Sequence, residues 1–551
     1  MADNTALVAR VRAYLEDEVD SDDRADLESL LDQDDTDALT ERFSGPLQFG
    51  TAGIRGFIGA GESRMNRAVV IRVTYGVAQY LVETVPGAAE RGIVLARDAR
   101  HRSDAFQRDA AAVAAALGIR VHWMEGDNPT PLLAYAVRKT NAAAGVMITA
   151  SHNPPDYNGY KVYWDNGAQI IPPTDAGIAA KIAAAPGAKH IARAEDSPLV
   201  QQLEGVSDDY SEAVTKLRLL PSPPASSLRI AYSALHGVGQ QTFVDTMTRC
   251  GFEHIYPVEQ QGEPDGDFPT VNFPNPEEPG ALDLVLEEAK RHECDLVLVN
   301  DPDADRLGVA TRERDGNYVV LGGNEIGALL GHHVLTHTKA EDPLVISTVV
   351  SSRILSTMAS ELDARYEDTL TGFKWIANEG MRLERDHGCT FVFGFEEALG
   401  YTVGTVVRDK DGISAAVVMA ELAEALAEKG ESLVDELRRI RKRFGNFQSR
   451  SKGVTLDGSD GAARIADGME RLRSRSMDRI AAESVTAFRD LSKDERMASN
   501  VLLYDLADGG RVAVRPSGTE PKIKFYLEVV GENAEARLAA MEAELLRLAL
   551  D

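Results

Sequence analysis

Basic residues are scarce in this sequence of 551 residues when they are set against the acidic ones. It has 59 Lys and Arg but 87 Asp and Glu, which gives a formal net charge of −28. Nucleic-acid backbones and anionic membrane surfaces attract proteins through clustered positive charge. We therefore expect neither a nucleic-acid partner nor a membrane partner. A small anionic substrate is still compatible with this charge, provided that Lys and Arg line its pocket locally.

Cysteine and long apolar runs are also scarce. The three cysteines (Cys250, Cys294 and Cys389) are far apart and lack metal-ligand spacing, which indicates structural thiols in a reducing compartment. The N-terminus shows neither the basic nor the apolar region of a signal peptide. The most apolar run, around residues 110–121, is too short to span a bilayer. We expect a cytoplasmic protein that is a monomer or a homodimer.

The length predicts three to four domains. Short β-branched runs alternate with Ala- and Leu-rich stretches, which is typical of α/β sheets flanked by helices. Composition breaks divide the chain into predicted α/β domains at 1–205, 206–321 and 322–445 and a smaller α+β domain at 446–551. Polar, Gly-rich residues follow several of the predicted strands, where open α/β sheets bind ligands. These strands are 93–95, 145–148, 228–232, 296–299 and 391–393.

The first such segment, residues 149–161, is called the serine loop and reads T-A-S-H-N-P-P-D-Y-N-G-Y-K. Two prolines stiffen the loop and His152 adjoins Ser151, so the pattern suits a presented nucleophile. A plain Ser/Asn/Pro turn is the alternative from these residues alone. A Ser–His–Asp hydrolase is a third interpretation, although the G-x-S-x-G elbow is absent.

The second segment, residues 301–306, is called the acidic loop and reads D-P-D-A-D-R. Asp301, Asp303 and Asp305 would repel one another after a buried strand unless a cation lay among them. Oxygen-only ligands suit a hard cation, above all Mg²⁺. A solvated acidic loop is the alternative. The spacing excludes an EF-hand, because that motif's Gly and distal Glu are missing.

Three further segments have less specific patterns. The basic loop, residues 515–524, reads R-P-S-G-T-E-P-K-I-K and would suit a phosphate. The glutamate loop, residues 394–401, reads G-F-E-E-A-L-G-Y, and its carboxylates would bind sugar hydroxyls or cap a helix. Arg55 lies between glycines near the start of the chain, where an ordinary turn is the alternative. Together the segments predict phosphoryl transfer on a sugar phosphate.

These motifs, in this order over nearly the whole chain, closely resemble those of the α-D-phosphohexomutases, the phosphoglucomutase/phosphomannomutase superfamily. The serine loop and the acidic loop are the most specific matches, and the basic loop is also strong. The segment T-A-G-I-R-G at 51–56 matches only in part, because Ala52 precedes Gly53. The stretch 370–376 and the glutamate loop are most similar to the long branch, which includes bacterial phosphoglucomutases and animal phosphopentomutase.

The resemblance implies a heart-shaped fold of three related α/β domains and a smaller C-terminal α+β domain around a central cleft. It also implies that Ser151 is carried as phosphoserine, with one Mg²⁺ held by Ser151 and the three aspartates of the acidic loop. The remaining site residues are implied in three groups. At the transfer end they are Arg55, His152, Lys161 and Arg306; for sugar hydroxyls, Lys374, Glu396 and Glu397; for the distant phosphate, Arg515, Ser517, Gly518, Thr519 and Lys524. His236 and residues 408–411 are expected at the edge of the cleft.

The implied activity interconverts glucose 1-phosphate and glucose 6-phosphate, with glucose 1,6-bisphosphate as the intermediate and activator. Ala398 stands where many members have serine, and Tyr401 where many have histidine. For this reason mannose and pentose phosphates stay open as substrates. Two other hypotheses are a sugar-bisphosphate synthase and a non-catalytic sugar-phosphate sensor, the latter disfavoured by the intact Ser151 and acidic loop.

Overall fold

The computed structural model describes residues 2–221, 226–456, 460–517 and 522–550. The strands are β1 (Ile54–Phe57), β2 (Ile93–Arg97), β3 (Val121–Trp123), β4 (Ala144–Ile148), β5 (Tyr157–Trp164), β6 (Val200–Gln202), β7 (Ile230–Ser233), β8 (Ile255–Pro257), β9 (Leu296–Val299), β10 (Gly308–Arg312), β11 (Tyr318–Leu321), β12 (Pro343–Thr348), β13 (Arg365–Thr369), β14 (Thr390–Glu396), β15 (Gly400–Val403), β16 (Phe447–Thr455), β17 (Arg479–Ile480), β18 (Glu483–Asp490), β19 (Leu502–Leu506), β20 (Arg511–Pro516) and β21 (Lys522–Val530).

The helices are α1 (Ala2–Asp17), α2 (Ser21–Asp32), α3 (Thr36–Arg42), α4 (Arg67–Thr84), α5 (Ala88–Arg91), α6 (Ser103–Ala116), α7 (Thr130–Lys139), α8 (Thr174–Ala183), α9 (Val206–Thr215), α10 (Gln240–Arg249), α11 (Asp283–Arg291), α12 (Gly323–His337), α13 (Ile354–Glu361), α14 (Phe373–His387), α15 (Gly412–Ala427), α16 (Leu433–Phe444), α17 (Gly461–Ser474) and α18 (Ala534–Leu550).

The strands form four sheets. The first has the order β1-β5-β4-β2-β3-β6, in which β4, β2, β3 and β6 are parallel and β5 runs antiparallel to β4. The second has the order β11-β10-β9-β7-β8, again with a parallel centre and an antiparallel neighbour, β10. This shared pattern agrees with the expectation of related α/β units.

The third sheet has the order β13-β12-β14-β15, and β12 is parallel to both of its neighbours. The fourth has the order β16-β21-β20-β19-β18-β17, and all of its strand pairs are antiparallel. Helices α17 and α18 pack on its apolar face through Met469, Leu472, Met541 and Leu545. The predicted fold class, mixed α/β sheets followed by a smaller α+β domain, is therefore confirmed.

Compactness divides the chain into two units. The first unit contains residues 1–312 and 402–424, and the second contains residues 313–401 and 425–551. The acidic and serine loops belong to the first unit. The glutamate and basic loops belong to the second. Each unit therefore contains two of these four loops, and the first unit also contains the segment around Arg55.

The core of the first sheet shows why its strands form where they do. Strand β4 is buried at all five positions, and apolar residues of α4 and α6 cover the sheet, including Val73, Val77 and Phe106. A strand buried on both faces reads as a continuous apolar run, which is the pattern in the sequence. Helix α4 begins after Asn66, whose side-chain oxygen accepts from the amide of Val69 at 2.9 Å.

The observed strands agree closely with four of the five predicted ones. The exception is β14, which was predicted at 391–393 but continues to Glu396. Glu396 is therefore the last residue of a buried strand rather than part of a loop, which fixes its backbone.

The three cysteines are buried, and the structure shows no disulfide between them. Among the helices in the described ranges, none combines the length and the apolar character that crossing a bilayer requires.

Candidate active site

Ser151 lies in a strained turn directly after β4. Its φ is 52°, a left-handed conformation that non-glycine residues seldom adopt. The turn is held by a hydrogen bond at 2.8 Å from the amide of Ser151 to Oγ1 of Thr149. The Ser151 side chain is buried. Strain that the surroundings enforce is characteristic of functional turns, because it fixes the direction of one side chain.

Arg100 stabilises this turn through hydrogen bonds to its backbone. Its guanidinium donates to the carbonyl oxygens of Ser151 at 2.6 Å, Pro154 at 2.7 Å and Tyr157 at 3.1 Å, and also to that of Asn153. Asp98, also buried, lies 3.4 Å from Arg100 and partly compensates its charge. In the sequence, Arg100 is part of a polar segment that follows β2, and no individual role was predicted for it. Its role in holding the serine loop was missed, and an arginine just past a buried strand was the available signal.

The acidic loop places three carboxylates together. Asp301, Asp303 and Asp305 are completely buried, and one oxygen from each lies within 4.8 Å of the others. Between them, Ala304 has a φ of 57°, which turns the loop so that the three side chains converge. A solvated acidic loop is therefore the wrong interpretation.

Two lysines oppose this negative charge. Lys161, on β5, lies 2.7 Å from Asp303 and 3.2 Å from Asp305. Lys410 lies 3.1 Å from Asp305 and 3.3 Å from Asp409. The expectation that residues 408–411 lie near the site is met for Lys410, and the contact makes it part of the carboxylate cluster.

Burial and charge pull the pKa values of these groups in opposite directions. Burial and the neighbouring carboxylates raise the pKa of Asp301 well above its usual value. Burial also raises the pKa of Asp305, but Lys161, Lys410 and Arg306 outweigh it and hold that pKa below its usual value. Burial lowers the pKa of Lys161, and the two aspartates it contacts more than reverse this. Ionised Asp305 and charged Lys161 are thus the favoured forms.

The cluster fits a bound metal ion. Oδ1 of Asp303 and Oδ1 of Asp305 are buried without a hydrogen-bond partner in the described structure, which is costly unless a cation is coordinated. Ser151 Oγ donates to Oδ2 of Asp301 at 2.9 Å, so the serine oxygen adjoins the same cluster. One ion could therefore be held by Asp301, Asp303 and Asp305 with a serine oxygen beside it. The all-oxygen donor set is that of a hard cation.

The other residues predicted for the transfer end surround Ser151 in the same unit. His152 Nδ1 lies 3.3 Å from Ser151 Oγ. Burial, followed by the charges of Arg306 and Arg55, lowers the pKa of His152 well below its usual value. Arg55 Nη1 donates to Asn153 at 2.8 Å, and Arg306 Nε lies 3.9 Å from Asp301. His236 bonds instead to Thr270, at 2.8 Å.

Thr130 is a further residue of the carboxylate cluster, and no sequence pattern predicted it. Its hydroxyl donates to Oδ2 of Asp303 at 2.7 Å, and its amide donates to the carbonyl of Asp303 at 2.9 Å. Thr130 begins α7, so these bonds fix the middle of the acidic loop to the start of a helix. No motif marks such a contact, because the two residues are distant in sequence.

In the second unit, neutral donors hold the two glutamates of the glutamate loop. Oε1 of Glu396 accepts from the amide of Gly372 at 2.8 Å, next to the start of α14, where Lys374 lies. Oε2 of Glu397 accepts from the hydroxyl of Ser351 at 2.9 Å. The predicted sugar-binding residues of this unit therefore lie on segments that directly contact one another.

Tyr401 ends the glutamate loop in the interior of the second unit. It is fully buried, and its hydroxyl donates to the carbonyl of Gly323 at 3.0 Å. This bond connects the glutamate loop to the start of α12.

The basic loop begins on β20 and ends on β21. Arg515 and Lys524 are paired across these strands, and Arg515 donates to the hydroxyl of Tyr526 at 3.1 Å. The amide of Ser517 donates to the carbonyl of Lys522 at 2.7 Å, which narrows the base of the loop. Gly518 and Thr519, which were predicted to bind phosphate, lie outside the described residues.

Four domains of one family match the chain. They are described as phosphoglucomutase/phosphomannomutase alpha/beta/alpha domain I at residues 46–188, domain II at 208–316, domain III at 322–444 and the C-terminal domain at 473–545. The chain belongs to the phosphoglucomutase/phosphomannomutase family. It is a phosphohexomutase-type enzyme, an isomerase that works by phosphoryl transfer.

The proteins to which the chain is similar are named after different sugars. The chain is 40% identical over 477 residues to "Probable phosphomannomutase" of Haemophilus influenzae. This alignment covers 85% of this chain and 94% of that protein. It is 36% identical over 557 residues to the phosphopentomutase of Homo sapiens, covering 94% and 90%. It is 36% identical over 503 residues to a phosphoglucomutase of Staphylococcus epidermidis, covering 88% and 90%.

The fold is also found among solved structures. A phosphoglucomutase/phosphomannomutase family protein from Burkholderia thailandensis superposes with a TM-score of 0.68 at 21% identity. The match covers 90% of this chain and 96% of that one. This likeness supports the fold.

Proposed function

We propose that this enzyme interconverts α-D-glucose 1-phosphate and glucose 6-phosphate through a phosphoserine at Ser151 and a glucose 1,6-bisphosphate intermediate. The observation that carries the proposal is the 2.9 Å contact between Ser151 Oγ and Asp301 in the buried carboxylate cluster. A nucleophilic oxygen at the edge of a candidate metal site is the arrangement that phosphoryl transfer needs. The same bisphosphate, added in trace amounts, would activate the unphosphorylated enzyme.

The residues that would hold Mg²⁺ are Asp301, Asp303, Asp305 and an oxygen of phosphorylated Ser151. When bound, Mg²⁺ would supply positive charge to the oxygens of the transferring phosphoryl group. Lys161 supplies a second, permanent positive charge at the same place, since it contacts two of the three aspartates. Arg55 and Arg306 add two more cations near Ser151.

The reaction consists of two phosphoryl transfers of opposite direction. In the first, the P–Oγ bond of phosphoserine breaks as a sugar hydroxyl oxygen bonds to phosphorus, and the hydroxyl proton ends on the released Ser151 Oγ. The bisphosphate then turns end for end. In the second, Ser151 Oγ bonds to the phosphorus of the other phosphoryl group, the bond from that phosphorus to the sugar oxygen breaks, and the serine proton ends on the released sugar oxygen. His152, with Nδ1 3.3 Å from Oγ, is placed to stabilise the serine oxygen in both.

The glutamate loop and the basic loop would recognise the rest of the substrate. Glu396 and Glu397 would accept hydrogen bonds from sugar hydroxyls, with Lys374 as a donor at the same place. Arg515, Lys524 and the residues 517–519 would bind the phosphate that is not reacting. A guanidinium held by Tyr526 suits this task, because the planar fork of arginine matches phosphate oxygens.

A pentose phosphate is the second candidate substrate. The human phosphopentomutase matches 94% of this chain, a larger share than the phosphoglucomutase of Staphylococcus epidermidis matches. The two candidates differ in ring size and in the hydroxyls that Glu396 and Glu397 would meet. We further propose that the enzyme works in the cytoplasm, in keeping with three buried cysteines.

A side-by-side isomerisation assay tests the proposal. The purified enzyme receives Mg²⁺, a trace of glucose 1,6-bisphosphate and, in turn, glucose 1-phosphate, mannose 1-phosphate and ribose 1-phosphate. Fastest conversion of glucose 1-phosphate, with dependence on the bisphosphate, supports the glucose assignment. Fastest conversion of ribose 1-phosphate supports the pentose assignment. No conversion of any of the three sugar phosphates would contradict both assignments.

Ser151→Ala tests the phosphoserine. Turnover should fall about a thousandfold or more, since the group that receives the phosphoryl is lost. Intact-mass measurement should show one phosphoryl group on the wild-type enzyme after incubation with the bisphosphate and none on the variant. The matched control is Ser21→Ala, an exposed serine at the start of α2, which should keep both properties. Full turnover by Ser151→Ala would refute the mechanism.

A further inference from the structure

Strand β21 has two faces with different surroundings. Its odd-numbered residues, Ile523, Phe525, Leu527 and Val529, belong to the core beneath α17 and α18. Its even-numbered residues point to the opposite face, where Tyr526 packs against Val349 and Val350. The second face therefore meets the turn after β12, called here the 349–353 turn.

Glu528 is the charged residue of β21 that this second face buries. Its carboxylate Oε2 accepts from the amide of Arg353 at 2.9 Å, and the side chain of Ser352 is a second hydrogen-bonding partner. Oε1 is buried and has no partner among the described residues. A buried carboxylate is costly, so its place on a central strand calls for a reason.

The turn that Glu528 holds is also the support of a sugar-site residue. Ser351 Oγ donates to Oε2 of Glu397 at 2.9 Å and accepts from the amide of Glu397 at 3.1 Å. Ser351 is two residues from Arg353, whose amide Glu528 binds. Asn324 holds the residue between them, because its Oδ1 accepts from the amide of Ser352 at 2.8 Å.

The two arginines nearest to Glu528 pair mainly with other carboxylates. Arg511, opposite it on β20, is engaged by Asp368 and Asp505, each at 2.8 Å. The guanidinium of Arg353 lies 3.5 Å from Asp505. Burial raises the pKa of Glu528 to about 7, while the hydrogen bonds and the two arginines only partly oppose it. The strongest fixed contact of the carboxylate is therefore the one to the 349–353 turn.

We propose that Glu528 is a positioning residue for sugar recognition: by binding the amide of Arg353, it fixes the 349–353 turn, and Ser351 in that turn aims the carboxylate of Glu397. The proposal rests on the sugar-binding role of Glu397 given above. It assigns to the C-terminal sheet a part in recognising the sugar ring, in addition to the phosphate-binding part of the basic loop.

The kinetic test is a double-mutant cycle. Glu528→Leu removes the acceptor at similar size and should lower kcat/KM by about tenfold, chiefly through KM. Glu528→Gln keeps an acceptor oxygen and should recover most of that loss. In the Glu397→Gln background, Glu528→Leu should change kcat/KM by less than about twofold, because its target is already disabled. An equal loss in both backgrounds would overturn the proposal.

A second measurement does not depend on activity. Amide hydrogen exchange of the 349–353 turn should be about tenfold faster in Glu528→Leu than in the wild type, and close to wild type in Glu528→Gln. Unchanged exchange in Glu528→Leu would overturn the proposal even if activity fell. If the wild type converts no sugar phosphate while exchange responds as expected, the proposed function fails and the hold on the turn stands.

Discussion

The acidic loop and the glutamate loop both place carboxylates at the end of a buried strand, yet they hold them differently. The three aspartates of the acidic loop are fully buried, and two of them, Asp303 and Asp305, contact lysines. The two glutamates of the glutamate loop accept from neutral donors, the Gly372 amide and the Ser351 hydroxyl. The acidic loop therefore joins its carboxylates to cations inside a buried cluster. These contacts of the two glutamates show a hydrogen-bonded carboxylate pair at the end of a strand, which is the arrangement that our proposal assigns to binding sugar hydroxyls.

Removing a lysine that contacts the acidic loop should have the largest effect on stability. Lys161→Met leaves Asp303 and Asp305 buried with less compensation, which should lower the free energy of unfolding by about 3–5 kcal/mol without metal. Urea denaturation followed by tryptophan fluorescence measures this. Adding Mg²⁺ should recover more stability in the variant than in the wild type, because the metal replaces the lost charge.

The matched control for this change is Lys181→Met. Lys181 pairs with Glu83 on the surface, where both side chains are partly exposed, so the loss should be within about 1 kcal/mol. Equal losses from the two lysine variants would contradict the idea that burial distinguishes the acidic loop.

Glu528 provides a third carboxylate environment, buried but without a dedicated lysine. Its pKa is raised from 4.5 to about 7, so the folded state holds its proton more tightly than the unfolded chain. Ionisation of Glu528 therefore destabilises the fold as pH rises through this range. Relative to the wild type, Glu528→Gln should gain up to about 3 kcal/mol of stability between about pH 4 and about pH 8.

This prediction is checked by urea denaturation of both proteins over that pH range. A stability difference that stays constant with pH would show that Glu528 titrates at the usual pKa of a glutamate. A difference that shrinks as pH rises would contradict the sign of the shift.

Four hydrogen bonds from Arg100 distinguish the serine loop from an ordinary turn. Arg100→Lys keeps the charge but cannot donate to four carbonyls at once. We expect a loss of about 2 kcal/mol in stability and about a tenfold drop in kcat, because Ser151 is no longer fixed. Steady-state kinetics measure the drop. Arg108→Lys, at an exposed position on α6, should leave both quantities near wild type.

Of these substitutions, Tyr526→Phe in the second unit should have the smallest effect. It removes the hydroxyl that accepts from Arg515 but keeps the ring beneath the guanidinium. Losing one such bond is worth about 1 kcal/mol, so KM should rise about fivefold with kcat nearly unchanged. A drop in kcat with unchanged KM would instead indicate that Arg515 acts on the transferring phosphoryl group.

The fold followed from the sequence where local pattern and burial agree. Strand β9 is apolar and buried at every position, and it was predicted at its observed bounds because nothing in it competes with that pattern. Strand β14 was predicted too short, since Gly394 and Glu396 interrupt the apolar run. Tertiary contacts decide such an end, and here the bond from Gly372 fixes Glu396.

The candidate nucleophile, the carboxylate trio and the family could be predicted from the amino-acid sequence, because each corresponds to a contiguous motif. The distant residues that support these motifs became visible in the folded structure. Arg100 lies 51 positions from Ser151, and Thr130 lies 173 from Asp303. Glu528 holds Arg353 from 175 positions away. Hydrogen bonds of this kind depend on positions in space that folding creates, so the residues adjacent in sequence do not reveal which partners will meet.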